Sequence, residues 1–316
     1  MEELRPAFTG RAVCVTGGAG FIGGHLAEAL VELGARVCVI DDLSNGVEVN
    51  LAEVVSRLRL VRSSILDAAA LSEAVKGAEF IFHLAALGSV PRSVEVPLEY
   101  HEVNATGTLQ VLRAARAAGA RRVVYSGSSS AYGDTPTLPK IETMRADPCS
   151  PYAVGKLAGE AYCRAFACCY GLQTVALRYF NVFGPRQRPD SQYAAVIPRW
   201  AQALRVGERP VIYGDGQQTR DFTHVDNAVY ANLLAASCQG KLAGEAVNIG
   251  CGARDSLLDL LTLMCEVLGK PNQPKCEPAR VGDVRDSQAA IEAARDLIGY
   301  RVIVPFAEGL RRTLAP

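Results

Sequence analysis

A glycine-rich stretch near the N-terminus narrows the folds open to this chain. Residues 13–16 (VCVT) are small or apolar and predict a buried strand, and residues 24–33 (GHLAEALVEL) carry apolar side chains at helical spacing. Between them stand Gly17, Gly20 and Gly23. A strand, a glycine turn and a helix in this order can hold a dinucleotide pyrophosphate at the free N–H groups of the helix N-terminus. An ordinary strand-to-helix turn without a ligand is the alternative for these glycines alone.

A second strand predicts which dinucleotide would bind. Residues 36–40 (RVCVI) form a predicted strand that ends at Asp41, 24 residues after Gly17. A carboxylate at this place in a βαβ unit binds the hydroxyls of the adenosine ribose. It would repel a 2′-phosphate, so the sequence predicts NAD rather than NADP, with an ordinary turn residue as the alternative for Asp41. The turn that follows could face the adenine with Asp42, Ser44, Asn45 and Gly46.

The later apolar segments repeat the alternation of strand and helix. Further strands are predicted at residues 58–61, 80–84, 122–125 and 174–179, and helices from residue 71 and over residues 97–118 and 151–170. This alternation indicates an α/β fold, a Rossmann-type doubly wound parallel sheet with ligands at the carboxyl ends of its strands. Residues 1–180 are predicted to form the NAD-binding domain. Residues 181–316 are predicted to form mainly a smaller, interwoven α/β substrate-binding region, with some chain returning to the Rossmann domain.

The composition excludes several classes of partner. There are 33 basic and 33 acidic side chains, so no net charge draws the chain to a nucleic acid or an anionic membrane. The N-terminal residues carry charges unlike a signal peptide, and no apolar run reaches the roughly 20 residues that span a bilayer. These features favour a cytoplasmic protein. The ten cysteines lack metal-ligand spacing and are interpreted as reduced thiols, mostly in the core, so no metal site is predicted.

A tyrosine and a lysine on the helix at residues 151–170 could carry acid–base chemistry. Tyr152 and Lys156 are four residues apart and lie on one face of that helix. A phenol with its ordinary pKa near 10 is a poor base at pH 7. A neighbouring ammonium, with the positive nicotinamide of NAD, would lower the pKa of Tyr152. The spacing alone would also fit a surface pair, but a serine cluster, Ser128 to Ser130, precedes it at the end of a predicted strand.

Six further motifs suggest a family. They are residues 83–93 (HLAALGSVPRS), 128–134 (SSSAYGD), 177–187 (LRYFNVFGPRQ), 193–198 (YAAVIP), 220–222 (RDF) and 280–285 (RVGDVR). With the glycine turn and the Tyr–Lys pair, they make the chain similar to the extended short-chain dehydrogenases/reductases. Within these it resembles the nucleotide-sugar epimerases related to UDP-galactose 4-epimerase, and most closely the branch that acts on UDP-N-acetylglucosamine. The resemblance runs from about residue 13 to residue 310.

The resemblance implies a reaction, the NAD-dependent 4-epimerisation of a UDP-hexosamine through a transient 4-keto sugar. UDP-N-acetylglucosamine would be converted to UDP-N-acetylgalactosamine. Tyr152 would take the proton of the sugar 4-hydroxyl while a hydride passes from C4 to NAD, and would act again when the hydride returns to the other face. Lys156 would hold the nicotinamide ribose and tune Tyr152, and Ser128 would bind the reacting oxygen. NAD would stay bound throughout.

The resemblance also implies the contacts of both ligands. On the cofactor side it adds to the glycines and the Asp41 turn the residues Phe21, Ile22, Ser64, Ile65, Leu84, Ala85, Ala86, Tyr152, Lys156 and Tyr179. On the UDP-sugar side it implies Gly88, Ser89, Ser128, Ser129, Ser130, Asn181, Gln187, Ala195, Val196, Arg220, Arg280, Asp283 and Ser287. Ser64 departs from the family, which usually has an aspartate at this adenine contact.

Three positions narrow the reaction and its substrate. Ser129 and Ser130 stand where sugar 4,6-dehydratases need an Asp–Glu pair, so elimination of water is not expected. Ser287 stands where galactose-only enzymes have a bulky tyrosine, which leaves room for an N-acetyl group. Three alternatives stay open: UDP-glucose or UDP-galactose, a UDP-hexuronic acid whose carboxylate would meet Arg186 or Arg188, and a non-catalytic NAD-binding protein.

The resemblance finally implies a second copy of the chain as partner. Related enzymes commonly form homodimers through a four-helix bundle. The predicted helices at residues 97–118 and 151–170 are the candidates for that bundle. No nucleic acid, membrane or other macromolecular partner is predicted.

Overall fold

The protein is described by a computed structural model that covers residues 1–189, 195–278 and 285–315. The strands are β1 Ala12–Thr16, β2 Arg36–Asp41, β3 Arg59–Arg62, β4 Phe80–His83, β5 Arg122–Ser128, β6 Gln173–Tyr179, β7 Val182–Phe183, β8 Val211–Tyr213, β9 Thr219–Arg220, β10 Thr223–His224, β11 Ala243–Ile249, β12 Asp255–Ser256 and β13 Lys275–Glu277. The α-helices are α1 Arg5–Phe8, α2 Phe21–Glu32, α3 Ala68–Ala74, α4 Val90–Glu95, α5 Pro97–His101, α6 Gly107–Ala117, α7 Pro151–Tyr170, α8 Val196–Val206, α9 Val225–Ser237, α10 Leu257–Leu268, α11 Glu292–Ile298 and α12 Phe306–Leu314.

Seven strands form one parallel sheet in the order β11-β6-β5-β4-β1-β2-β3. This confirms the predicted Rossmann-type fold and its six predicted strands, although several strand ends differ from the predicted ones by a few residues. The seventh strand, β11, was not predicted. After β1 the chain forms β2 and β3 on one side of that strand, and after β3 it forms β4 on the other side. This reversal leaves a crevice at the carboxyl ends of β1 and β4.

Helices cover both faces of the sheet. On one face α2 and α9 pack through apolar side chains that include Leu26 and Val229. On the other face α3, α6 and α7 pack through Leu71, Val111 and Phe166. The predicted helix at residues 97–118 is α5 and α6 joined by a π-helical turn, Glu102–Thr106. Both faces are therefore buried, as a parallel sheet requires.

The second half of the chain contributes to two cores. The helices α8, α10 and α12 enclose a smaller core that contains Trp200, Met264 and Leu310. By contrast, β11 and α9 belong to the large sheet and its cover. The proposed domain boundary at residue 180 therefore stays a prediction about the division of function, since chain beyond it helps to build the Rossmann core.

The cysteines differ from the expectation in one respect. All ten are free thiols. Three are buried: Cys14, Cys163 and Cys265. The prediction that most of them lie in the core is wrong, because the others are partly or fully exposed, including Cys168 and Cys169 near the C-terminal end of α7.

Candidate active site

The glycine turn brings three backbone segments into close contact. Gly17 has a φ angle of 70°, and a Cβ there would lie 2.6 Å from the backbone nitrogen of Ala85. A Cβ at Gly23 would lie 2.1 Å from the carbonyl oxygen of Gly17. Helix α2 starts at Phe21, and its N-cap residue Gly20 offers no side chain to the first N–H groups. The turn thus leaves N–H groups for an anionic ligand and room for it to approach.

Asp41 ends β2 beside this turn. Its carboxylate accepts hydrogen bonds from the backbone N–H groups of Ala19 and Leu43, both at 2.9 Å. Burial raises the pKa of Asp41, and these two hydrogen bonds lower it. A carboxylate has more lone pairs than these two donors use, so it can also accept from ribose hydroxyls.

A cavity of about 90 Å³ lies next to Asp41. Its walls contain predicted cofactor contacts, namely Gly17, Gly20, Asp41, Asp42, Ser44, Asn45, Gly46, Ser64, Ile65, Leu84, Ala85 and Ala86. They also contain residues that sequence reasoning missed: Ile40, Ser63, Leu87 and Val103. Ile40 directly precedes Asp41 and Ser63 directly precedes Ser64, so their positions in the sequence could have predicted them as cofactor contacts.

A second cavity, of about 420 Å³, joins the glycine turn to the Tyr–Lys pair. The predicted residues in its walls are Gly17, Gly20, Phe21, Ile22, Gly23, Asn45, Leu84, Ala86, Gly88, Ser89, Tyr152, Lys156 and Tyr179. Asn50, Ser126 and Gly127 line it without having been predicted. The structure therefore brings the predicted pyrophosphate turn and the predicted acid–base pair to one space.

Helix α7 starts one residue before Tyr152. Ser150 is its N-cap and accepts the N–H of Ala153 at 3.2 Å, and Pro151 occupies the first turn. Burial raises the pKa of Tyr152, and a hydrogen bond with the Ser128 hydroxyl lowers it. Tyr152 thus needs a nearby positive charge to act as a base near neutral pH.

Lys156 is a buried cation on the same helix. It is 5% exposed, and its Nζ donates to the carbonyl oxygen of Ser126 at 2.8 Å. Its Nζ also lies 5.3 Å from the ring centroid of Tyr125. Burial lowers the pKa of Lys156 to about 8, so the side chain is still mainly an ammonium at pH 7. Helix and strand can approach this closely because Gly159 faces Tyr125, where a Cβ would lie 2.3 Å from the phenol oxygen.

The three serines after β5 have different surroundings. The Ser128 oxygen accepts the N–H of Ser130 at 3.2 Å and the hydroxyl of Ser130 at 2.8 Å. Ser129 begins a short 3-10 helix that ends at Tyr132. Ser130 therefore supports Ser128, whose hydroxyl adjoins Tyr152.

A buried asparagine holds the segment that brings Gly88 and Ser89 to the cavity wall. Asn104, in the π-helical turn, accepts the N–H of Leu87 at 2.9 Å and donates to the carbonyl of Leu87 at 3.0 Å. The N–H of Ser89 donates to the Tyr100 hydroxyl at 3.2 Å. These contacts fix the segment that carries Gly88 and Ser89. Sequence reasoning missed Asn104, since nothing local links it to that segment.

A third cavity, of about 250 Å³, lies in the second half of the chain. It contains the predicted substrate contacts Asn181, Gln187, Ala195, Val196 and Arg220. Apolar and aromatic side chains that were not predicted complete it, among them Trp200, Tyr213 and Phe222. Two further predicted contacts, Arg280 and Asp283, lie outside the described residues.

Ser287 lies beside Asn181. The Asn181 amide donates to the Ser287 hydroxyl oxygen at 3.0 Å and to the carbonyl oxygen of Asp221 at 3.2 Å. Asp221 is buried, and its carboxylate accepts the N–H groups of Cys251, Gly252 and Ala289 at 2.7 to 3.0 Å. The small side chain of Ser287 is thus held by a hydrogen-bonded framework next to the third cavity.

Arg186 has a partner within the chain. Its guanidinium donates to both carboxylate oxygens of Glu28, at 2.6 and 2.7 Å, and to the carbonyl oxygen of Asn50 at 2.8 Å. This pair ties the loop after β7 to α2. Arg186 and Arg188 both lie in the wall of the 420 Å³ cavity.

In the described ranges, no three His, Cys, Asp or Glu side chains come together as a metal site. No helix within those ranges has both the length and the apolar composition needed to cross a bilayer.

A Rossmann-type sheet with a Tyr-x-x-x-Lys helix beside its glycine turn defines a short-chain dehydrogenase/reductase of the extended type. Residues 13–250 match the model of the NAD dependent epimerase/dehydratase family, and the chain belongs to that family. The UDP-glucose 4-epimerase of Mycolicibacterium smegmatis is 40% identical over 95% of this chain and 96% of its own.

Solved structures give the same result. A UDP-N-acetylglucosamine 4-epimerase from Methanobrevibacter ruminantium, in complex with UDP-N-acetylmuramic acid, is 39% identical with a TM-score of 0.93, over 97% of this chain and 98% of its own. The UDP-glucose 4-epimerase of Thermus thermophilus, in complex with NAD, is 33% identical with a TM-score of 0.86, over 96% and 97%. The chain is therefore an NAD-dependent enzyme. The glycine turn at the start of α2 and Asp41 border the 420 Å³ and 90 Å³ cavities, so the described residues fit the cofactor.

Replacing Asp41 by alanine tests the cofactor side. We expect Asp41→Ala to weaken NAD binding about tenfold or more, because hydrogen bonds from ribose hydroxyls to a charged acceptor are lost. Fluorescence titration of NAD-depleted protein measures this affinity. Glu48→Gln, which alters an exposed carboxylate paired with Arg62, is the control and should bind NAD as the parent does. Equal NAD affinity of Asp41→Ala and parent would contradict the assignment.

Proposed function

We propose that this enzyme is a UDP-N-acetylhexosamine 4-epimerase, which interconverts UDP-N-acetylglucosamine and UDP-N-acetylgalactosamine. The observation that carries the proposal is the position of Tyr152 and Lys156 at the cavity that also contains the glycine turn. Ser128 interacts with Tyr152 there. NAD, when bound there, accepts the hydride of sugar C4 and returns it to the resulting ketone. Because the hydride returns within the turnover, the reaction is an isomerisation.

The proton steps belong to the protein. Tyr152 takes the proton of the sugar 4-hydroxyl and gives it back to the oxygen after the 4-keto sugar has turned. The ammonium of Lys156 stabilises the phenolate and donates to the nicotinamide ribose. The Ser128 hydroxyl, which already adjoins Tyr152, binds the reacting oxygen. Ser129 and Ser130 line the sugar, with Ser130 supporting Ser128.

The third cavity suits the UDP moiety. Arg220 and the amide of Asn181 are proposed to bind the diphosphate, and the backbone at Ala195 and Val196 the uracil. Arg280 and Asp283 keep the roles that the family resemblance implies, on the diphosphate and the uridine. Gly88, Ser89 and Gln187 are proposed contacts of the sugar. The aromatic side chains of this cavity would cover the base.

The hexosamine preference depends on Ser287. Its short side chain beside Asn181 leaves space that a tyrosine would fill, so a substituent at the sugar 2-position is admitted. A small residue does not demand that substituent. UDP-glucose is therefore a further candidate substrate, and it is the sugar named for the Mycolicibacterium smegmatis relative.

A UDP-hexuronic acid is the second candidate. Its support is Arg188, which lies in the wall of the cavity that contains Tyr152 and Lys156. A guanidinium there could pair with a carboxylate on sugar C5. Arg186 lies in the same wall, and its guanidinium also pairs with Glu28.

A panel of UDP-sugars tests the substrate. Purified enzyme is incubated with UDP-N-acetylglucosamine, UDP-glucose and UDP-glucuronic acid, and the products are separated. We expect UDP-N-acetylglucosamine to equilibrate fastest. Ser287→Tyr should lose this turnover at least 100-fold while keeping that of UDP-glucose, since overpacking excludes only the larger sugar. Ser287→Ala is the matched control and should retain both activities. Turnover of UDP-glucose or UDP-glucuronic acid without that of UDP-N-acetylglucosamine would refute the hexosamine assignment.

Replacing Tyr152 tests the base. We expect Tyr152→Phe to lower kcat by 100- to 10,000-fold, about the contribution of a positioned acid–base group, while NAD remains bound. Tyr162→Phe removes an exposed phenol from the same helix and should behave as the parent does. Epimerisation rate and NAD content of the purified protein are the two measurements. A fully active Tyr152→Phe enzyme would exclude Tyr152 as the base.

We also propose a cytoplasmic homodimer. The ten free thiols suit a reducing compartment. Three apolar side chains on the adjoining helices α4, α5 and α7 are unusually exposed: Val94 at 64%, Leu98 at 83% and Val154 at 50%. Two such surfaces would form the four-helix bundle.

Light scattering tests the dimer. The expected mass is twice the 33.7 kDa of the chain. Leu98→Glu should shift the protein towards the monomer, because it places a charge in the proposed contact. Val49→Glu, at a position 72% exposed outside those three helices, should leave the mass unchanged. A monomeric parent protein would rule out the homodimer.

A further inference from the structure

A buried ion pair lies directly behind the acid–base residues. Glu160 follows Lys156 by about one turn on α7, and Arg178 lies on β6. The Arg178 Nε contacts both carboxylate oxygens at 3.1 Å, and its Nη2 contacts Oε2 at 2.8 Å. Both side chains are only 7% exposed. The pair is therefore bidentate and shielded from water.

Both charged residues of α7 reach the end of β5. The Lys156 Nζ donates to the carbonyl oxygen of Ser126. The Glu160 carboxylate lies against Gly127, the next residue, where a Cβ would be 3.0 Å from Oε1. Burial lowers the pKa of Lys156, and the charge of Glu160 raises it. A carboxylate without another partner would compete with Ser126 and with bound ligand for this ammonium.

Arg178 satisfies the carboxylate from the other side. Its guanidinium uses Nε and Nη2 on Glu160 and lies over the ring of Tyr132, with 4.8 Å from Cζ to the ring centroid. The charge of Glu160 raises the pKa of Arg178, against the effect of burial. The Glu160 carboxylate is thereby held by Arg178 on β6.

We infer that Arg178 is a positioning residue for the Lys156 ammonium. By holding Glu160, it leaves Lys156 directed at Ser126 and at the cofactor ribose, and it balances the charge behind Tyr152. This inference rests on the role proposed above for Lys156. It assigns a function in catalysis to a residue that contacts neither the cofactor nor the substrate.

Few other charges face Lys156 in the described part of the chain. Tyr152 and Glu160 lie on its own helix, and the Tyr125 ring of β5 lies beneath it. His83 of β4 is buried, and burial lowers its pKa to about 3, so it is neutral near pH 7. Glu160 and Arg178 thus supply the fixed charges that can be changed one at a time.

The test is the pH dependence of kcat for Arg178→Met, Glu160→Gln and the double variant, measured on NAD-loaded enzyme. Arg178→Met leaves the negative charge of Glu160 without its partner. That charge disfavours the Tyr152 phenolate and favours the Lys156 ammonium. The pH optimum of this variant should rise by about one unit. Glu160→Gln leaves a positive charge, so its optimum should fall by about one unit. The double variant is neutral at both positions and should return to the optimum of the parent.

A remote carboxylate provides the control. Glu79→Gln breaks pairs with Arg11 and Arg121 at the amino ends of the central strands, away from the carboxyl ends that carry the site, and should leave the optimum unchanged. The inference would be overturned if the pH optima of both single variants shifted in the same direction. It would also be overturned if the pH optimum of the double variant shifted as far as that of either single variant. If one single variant does not fold, the pH optimum of the other is compared with that of the double variant. A shift in the expected direction supports the inference, and no shift or the opposite shift overturns it.

A second measurement separates this inference from the proposed function. The pH dependence of NAD affinity is followed in the same variants, since Lys156 is proposed to hold the ribose. If the pH dependence of NAD affinity shifts in opposite directions in the two single variants, the role of Arg178 is supported even if the parent epimerises no UDP-sugar. Such an inactive parent would refute the proposed function alone. Absence of any displacement in NAD binding and in kcat would refute the role of Arg178.

Discussion

The proposed chemistry of this enzyme depends on a buried cation, the ammonium of Lys156. It is held on the carbonyl oxygen of Ser126 at the end of the sheet, where burial lowers its pKa to about 8. To reach that place, α7 must lie against β5, which Gly159 permits at the ring of Tyr125. In the proposed mechanism this cation stabilises the phenolate of Tyr152, which lies one turn earlier on the helix. Fold and proposed reactivity are thus coupled through one helix-to-strand contact.

The local patterns that predict the fold are those of residues 1–180. Apolar runs predicted six of the strands of the parallel sheet, because strands covered on both faces are nearly continuous in apolar residues. The seventh strand, β11, has Gly244 and Glu245 in its first half, and its register with β6 is irregular there. Only the residues from Val247 onward are buried. β11 forms because it pairs with the free edge of β6, and no local sequence pattern predicts that pairing.

The candidate site divides in the same way. Tyr152 and Lys156 could be predicted because a spacing of four places them on one helical face. Asn104 and Arg178 could not, since their partners are distant in sequence and become neighbours only when the sheet and its helices assemble. Arg186, which the sequence offers as a contact of a hexuronate carboxylate, has a partner that no local pattern indicates. Glu28, on a helix from the other half of the chain, already binds it.

The central claim is that the hydrogen removed from sugar C4 returns to the same carbon within one binding event. The most direct test is epimerisation of UDP-N-acetylglucosamine carrying deuterium at C4, in ordinary water and without added NAD, followed by mass spectrometry of the product. The account predicts full retention of deuterium in the epimer. Loss of the label to solvent would contradict it.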